Sequence, residues 1–141
     1  MLHTILFIVS YDVWFFISHI FLHHPFLYEW IHKIHHNRPY KYLTYLDTNH
    51  GHILETSIQS LGLVLPFLLF RVHIYSFFVA CMILGTRGCM RHDHRCSWLI
   101  GNHHLLHHKY PSYNFGEYWL DQFFGTCYPN KEEYIYGWIY V

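Results

Sequence analysis

The chain has 141 residues, of which 52% are hydrophobic and only 13% charged, and its formal net charge is zero with histidine neutral. That length suits a single domain, and a charged fraction about half that of soluble domains points to a membrane-embedded protein. A balanced charge carries no nucleic-acid footprint, so a nucleic-acid partner is not expected.

Residues 2–22 form the first apolar stretch. It is long enough to cross a bilayer, which takes roughly 20 residues. It lacks the basic start of a secretory signal and runs straight into the first histidine pair, so it reads as a retained membrane helix. Asp12 and His19 interrupt it, and ionisable groups in such a segment are costly and usually functional. Residues 23–52 are polar, aromatic and histidine-rich, with breaks at Pro25 and Pro39. Residues 53–70 and 72–86 are two further apolar stretches, separated by Arg71; Pro66 is set to kink or end the first. Each is short for an upright span, which predicts a helical hairpin that dips into the bilayer or crosses it with tilt. Residues 87–126 return to histidine-rich polar sequence ahead of a Tyr/Trp-rich tail.

Of nine Lys and Arg, eight lie outside the apolar stretches: Lys33, Arg38, Lys41, Arg87, Arg91, Arg95, Lys109 and Lys131. The positive-inside rule puts both histidine-bearing regions on the cytosolic face. The four cysteines, Cys81, Cys89, Cys96 and Cys127, form no CxxC pair and are expected to be reduced and unpaired. The expected architecture is a single all-α domain over 1–141. It is an integral membrane helical protein whose histidine-rich helical cap faces the cytosol over a di-metal site.

Three short boxes carry the chemistry: His19 and His23; His32, His35 and His36; His104, His107 and His108. Imidazole is the commonest metal-ligating side chain, and spacings of three and four place rings on one face of a helix. Eight rings exceed one closed zinc site of four ligands, so two ions close together are expected. In an HxxHH box the two adjacent rings diverge, either to serve different metals or to bracket one. His24 points away from the first pair on helix geometry. His3, His24, His50, His73 and His103 read as packing or interface residues.

Imidazole suits zinc, copper, iron and nickel alike. Iron gains preference from the reaction. An aromatic-rich membrane site (21% Phe, Trp and Tyr) invites a lipid, and the unactivated C–H bonds of lipids call for a redox metal that activates O2. Two other classes fit the same boxes: a non-redox zinc-binding membrane protein, and an inactive interaction protein derived from an enzyme. No haem motif or Gly-rich dinucleotide site is visible, so the reductant is expected to be external.

Four segments, in this order, carry a family resemblance: YDVWFFISHIFLHHPFLYEWIHKIHH, NHGHILETSIQSL, MRHD and GNHHLLHHKYPSYNFGEYWLDQFFGT. From Asp12 to about Thr126 the chain resembles the fatty acid hydroxylase/sterol desaturase superfamily, most closely the C-5 sterol desaturases. HxxHH alone is weakly specific; its ordered combination with NFGEYWLDQFFGT is much more so. The resemblance implies two more ligands, His52 and His92, which spacing alone does not choose over His50 and His94. The implied set is then His19, His23, His32, His35, His36, His52, His92, His104, His107 and His108. It further implies a di-iron centre, O2 as oxidant and electrons from NAD(P)H through cytochrome b5. A membrane lipid, sterol or acyl, is the implied substrate, and the cytosolic face of the endoplasmic reticulum the implied location. Ile20 and Ile53 depart from the family's Arg and Pro. Most members carry further transmembrane sequence ahead of the block that begins at Asp12.

Glu29, Asp47, Glu55, Asp93 and Asp121 are candidates to accept N–H bonds from liganded imidazoles, with helix capping or surface charge as the alternative for each. Asn114 and Gly116 are expected to shape the turn after the last box, and Asp121 with Gly125 to cap or pack the C-terminal segment.

Overall fold

A computed structural model describes residues 1–139; residues 140 and 141 of the expected domain lie outside the described residues. The described residues are helical throughout their regular structure. Seven α-helices occur in the order α1 Leu2–Leu22, α2 Pro25–Trp30, α3 Ile53–Leu69, α4 Ile74–Arg91, α5 Ser97–Ile100, α6 His103–Lys109 and α7 Tyr118–Phe124, with short 3₁₀ turns between several of them.

The first helix runs 21 residues without Gly or Pro, about 31 Å at 1.5 Å per residue. Among the described residues it is the one helix long and apolar enough to cross a membrane; α3 is apolar but shorter. It stops where Pro25 follows His23 and His24, and Pro25 then opens α2 at the position where a missing N–H costs nothing. Pro66 lies inside α3, which ends three residues later at Leu69. The expected second arm of the hairpin ended at residue 86. In the structure α4 continues to Arg91, which carries Arg87 and Arg91 on the helix itself.

Helices α3 and α4 each pack against α1. Phe7 is fully buried, with its ring 5.0 Å from Phe67 and 5.7 Å from Phe77. Gly62 lets α3 approach α1 closely: a Cβ there would lie 2.8 Å from Trp14 Cβ and 2.9 Å from Tyr11 Cα. The approach is pinned by Ser10 Oγ donating to Gly62 O at 2.8 Å and Trp14 Nε1 donating to Ile58 O at 2.7 Å.

Asp12, the charge that interrupts the first apolar stretch, is buried and paired with Arg87 of α4. Arg87 also lies 3.1 Å from Glu117, which in turn pairs with Arg91. Two carboxylates and two guanidiniums thus neutralise one another between α1, α4 and the start of α7, which is how charge survives in an apolar interior. Arg87 and Arg91 are therefore largely covered partners of acids on a helix, not exposed loop cations. The charge asymmetry used above for orientation is carried by Lys33, Arg38, Lys41, Arg95, Lys109 and Lys131 alone.

Gly62→Ala is expected to force α1 and α3 apart and to cost about 1–3 kcal/mol, as overpacking does. Gly85→Ala, whose Cβ would meet nothing within 4 Å, is the matched control. Thermal unfolding of both variants in detergent checks this: the first lowers the midpoint, and the second leaves it unchanged or raises it.

Candidate metal centre

The boxes gather at the C-terminal end of α1. His19 and His23 occupy its last turn and C-cap, His92 is the C-cap of α4, and His104, His107 and His108 lie on α6. The middle box is a 3₁₀ stretch, His32–Asn37, and not the α-helix that its spacing predicts. Three residues per turn eclipse i and i+3, so the rings of His32 and His35 stack at 5.5 Å and 22° while that of His36 turns to 87° from His35.

Nine of the ten candidate rings fall into two groups. One contains His19, His23, His32, His36 and His107, the other His35, His92, His104 and His108, and within each group the available nitrogens lie within 4.8 Å of one another. Adjacent rings divide between the groups, His35 from His36 and His107 from His108. The groups abut, with His108 of one centred 4.5 Å from His36 of the other.

Hydrogen bonds fix several tautomers. A carbonyl oxygen can only accept, so a ring nitrogen bonded to one must carry the proton, and the other nitrogen is then a bare lone pair. Nδ1 of His19 donates to Phe115 O at 2.5 Å, of His107 to Tyr113 O at 2.7 Å, of His35 to His50 O at 2.9 Å and of His92 to Gly88 O at 2.9 Å. Every one of these rings therefore points an unprotonated Nε2 inward. His35 and His92 aim theirs at each other across 3.2 Å. In the other group, His107 Nε2 lies 3.1 Å from the Nε2 atoms of both His23 and His36.

Two lone pairs facing each other cannot hydrogen-bond, and a cation between them would satisfy both. A proton is a poor candidate, because burial pushes His23, His32 and His92 down to about 3. Desolvation, reinforced by neighbouring imidazoles, also holds His36, His104, His107 and His108 well below the ordinary histidine range. Both ring nitrogens of buried His108 lack a partner. The donor set fits metal cations, one held by His19, His23, His32, His36 and His107 and one by His35, His92, His104 and His108.

The structure does not bring His52 into either group. Its Nδ1 accepts from Leu54 N at 3.1 Å and so caps the start of α3. Between the alternatives left open by spacing, His92 is in a group, while His94 bonds to Tyr40 O at 2.8 Å and His50 contributes only its carbonyl. His103 turns away from its neighbour His104 and lies 2.9 Å from Asp121. Among the five candidate carboxylates, Glu55 alone meets a grouped ring: its Oε1 is 3.0 Å from His32 Nδ1, somewhat off the line of a hydrogen bond. Glu29 pairs with Lys33 on the surface, Asp47 with Arg38 and Thr44, and Asp93 with Arg95.

The partners that orient four of the nine grouped rings are thus main-chain carbonyls, which have no signature in sequence. Their placement follows from a loop that does. Asn114 adopts φ 59, the left-handed region that Asn tolerates. Its side chain donates to His103 O at 3.0 Å and accepts from Tyr128 N at 2.7 Å and from Tyr134 Oη at 2.9 Å. Asp121 accepts from Phe115 N, Gly116 N and Thr126 Oγ1 at 2.8, 2.8 and 2.6 Å. Together they hold the strap that aims Tyr113 O and Phe115 O at His107 and His19. Gly116 is needed because a Cβ there would sit 2.8 Å from Phe16.

Beside the groups lies a cavity of about 260 Å3 between α1, α3 and α4. His19, His35, His92 and His104 form its histidine wall; Phe15, Leu63 and Leu84 supply apolar wall, and Thr56, Gln59 and Ser60 a polar strip.

The described residues are all-helical and gather two abutting groups of mostly buried imidazoles whose donor atoms suit metal ions. The chain belongs to the fatty acid hydroxylase family, whose profile matches residues 4–126. It is similar to a Delta(7)-sterol 5(6)-desaturase of Gibberella zeae, 29% identical over 135 residues, and to one of Aspergillus fumigatus, 28% identical over 152 residues. Each alignment covers 87% of this chain but only 41% and 47% of the respective relative, so the chain spans less than half the length of these curated relatives. No solved structure is a significant match.

Unfolded imidazoles take up protons near 6.5, whereas His23, His32 and His92 in the fold resist until about 3. Between those values the unfolded chain binds more protons, so acid favours unfolding, by up to about 1.4 kcal/mol per ring and pH unit. The metal-free protein is therefore expected to melt at lower temperature at about pH 5 than at about pH 7.5. Equal melting points would contradict the neutral packing of the rings. Glu55→Ala is expected to weaken cobalt(II) binding about 10- to 100-fold, as loss of an orienting partner does. Glu55→Gln, which keeps an acceptor, is expected to lose less. Competitive metal titration measures both.

Proposed function

We propose that this chain is a membrane-bound, O2-dependent di-iron lipid oxidoreductase of the sterol desaturase and fatty acid hydroxylase type. The observation that carries the proposal is the pair of bare Nε2 atoms of His35 and His92 facing each other at 3.2 Å, within a cage that lines the cavity. The family membership and the sterol desaturase relatives support a lipid substrate. The two groups, His19, His23, His32, His36 and His107 and then His35, His92, His104 and His108, would hold iron, which when bound would supply O2-dependent oxidation of an unactivated carbon to a double bond or an alcohol. A sterol C-5 desaturation is the first reading of the substrate; hydroxylation of an acyl chain or sphingoid base is the second.

The chain's own residues do the positioning. The nine grouped rings offer neutral donors, so the metals keep their positive charge. Phe15, Leu63 and Leu84 accept an apolar substrate against the histidine wall, and Thr56, Gln59 and Ser60 offer hydrogen bonds to a polar group on it. The carbonyls of Tyr113, Phe115, His50 and Gly88 hold the ring protons on Nδ1 and keep each Nε2 free. In this reading α1 crosses the bilayer, α3 and α4 form the hairpin, and the cap faces the cytosol at the endoplasmic reticulum. Electrons then come from NAD(P)H through cytochrome b5 or a similar donor.

Protein purified without air is expected to carry two irons per chain, one for each group. A His107→Ala/His108→Ala double variant takes one ligand from each group and is expected to abolish turnover while still inserting in membranes. Lipid profiles of cells expressing the parent or the double variant read the substrate directly. Zinc with no O2 consumption, or full activity of the double variant in microsomes, would overturn the proposal.

A further inference from the structure

Two short helices flank the C-terminal end of α1, and both turn aromatic side chains outward. On α2, Phe26 and Trp30 are four residues apart on one face and are 68% and 73% exposed. On α7, Trp119 and Phe123 repeat that spacing and are 48% and 80% exposed. The opposite face of α7 is spent on the interior: Leu120 and Asp121 are buried, and Asp121 is consumed by the strap around Asn114. The outer face of α7 therefore carries no charge.

Position along α1 says what these faces meet. Only His23 and His24 separate α1 from α2, so α2 begins at the end of the spanning helix. Phe124 of α7 stacks on Phe16 of α1, with ring centroids 5.0 Å apart and planes at 20°. Phe16 lies six residues before Leu22, about 9 Å along the axis at 1.5 Å per residue. Interfacial helices sink about 5–10 Å into the headgroup and acyl boundary, and aromatic residues collect at that depth. Beside α7, Lys131 Nζ sits 5.5 Å from the centroid of the Tyr118 ring. The exposed end of α1 continues the same surface through Ile17, Ile20 and Phe21.

We infer that α2 and α7 form an aromatic collar that lies in the phospholipid headgroup and acyl boundary, seating the histidine cap against the membrane through Phe26, Trp30, Trp119 and Phe123. The occupant of this surface is lipid, not a protein partner. The inference rests on α1 crossing a bilayer, so its test separates the two.

Spin labels at Trp30→Cys, Phe123→Cys, Val9→Cys and Glu132→Cys report collision with O2, which concentrates in lipid, and with a water-soluble nickel complex. The chain carries Cys81, Cys89, Cys96 and Cys127 replaced by Ser, sits in phospholipid vesicles, and is checked for unchanged cobalt(II) stoichiometry. The expected result is an O2-to-nickel ratio several-fold higher at 30 and 123 than at 132, and highest at 9. A high ratio at 9 with 30 and 123 matching 132 overturns the collar and leaves the span intact. A low ratio at 9 overturns the span and the collar with it. Shielding of 30 and 123 from both reagents means a protein contact, such as a second copy, and also overturns the collar. The cysteine-containing chain gives an independent reading: Trp30→Phe and Trp119→Phe are each expected to reduce the emission quenched by brominated phosphatidylcholine. If those two tryptophans are instead quenched by aqueous iodide and spared by bromolipid, the inference fails.

Discussion

Bare nitrogen lone pairs, buried and aimed at one another, are the constraint on which this structure depends. A neutral imidazole tolerates an apolar interior, but it does not tolerate another lone pair at 3 Å. His35 and His92 meet in that way although 57 residues separate them. The remaining geometry serves to make such meetings possible and to keep protons out of them. Main-chain carbonyls hold ring protons on the outer nitrogen, and burial denies the inner ones a second proton. A cation would resolve the arrangement, and the two groups are donor sets that suit metal ions.

The two groups are held by a second set of buried polar contacts. Asp12, Arg87, Glu117 and Arg91 join α1, α4 and the entry to α7. Those elements also deliver His19, His92 and, through Phe115 O, the orientation of His19. A charge cluster in an apolar setting is weak evidence for stability, yet it is demanding about geometry. Here it fixes the register of two helices whose apolar faces alone would allow sliding. Gly62 and Gly116 complete the fit by letting α3 and the strap approach α1 without a side chain between them.

The cavity beside the cages joins the metal centre to the family. Helices α1, α3 and α4 and residues 48–51 line it, and the histidine wall contains rings from both groups. Apolar and polar lining side by side suits a lipid with a polar end, which agrees with the sterol desaturase relatives and with the fatty acid hydroxylase profile. The outward aromatic residues of α2 and α7 extend the proposed lipid chemistry from the interior to the surface, since a lipid substrate would reach such a cavity from a bilayer.

Much of this was written in the chain itself. The all-helical class, the first membrane-length helix and the histidines of the boxes follow from residue type and spacing, because helix periodicity and imidazole chemistry are local. His92 came from resemblance, and so did His52, which the fold instead uses as a helix cap. What spacing could not give was the partition into five rings and four. That division depends on a 3₁₀ turn in the middle box, on which side of it each adjacent ring leaves, and on carbonyls brought from residues 50, 88, 113 and 115. Those are facts of chain crossing and close approach. The sequence alone determined which donors are available; only the tertiary structure decided which of them share a centre, because backbone carbonyls and long-range contacts leave no trace in residue identity.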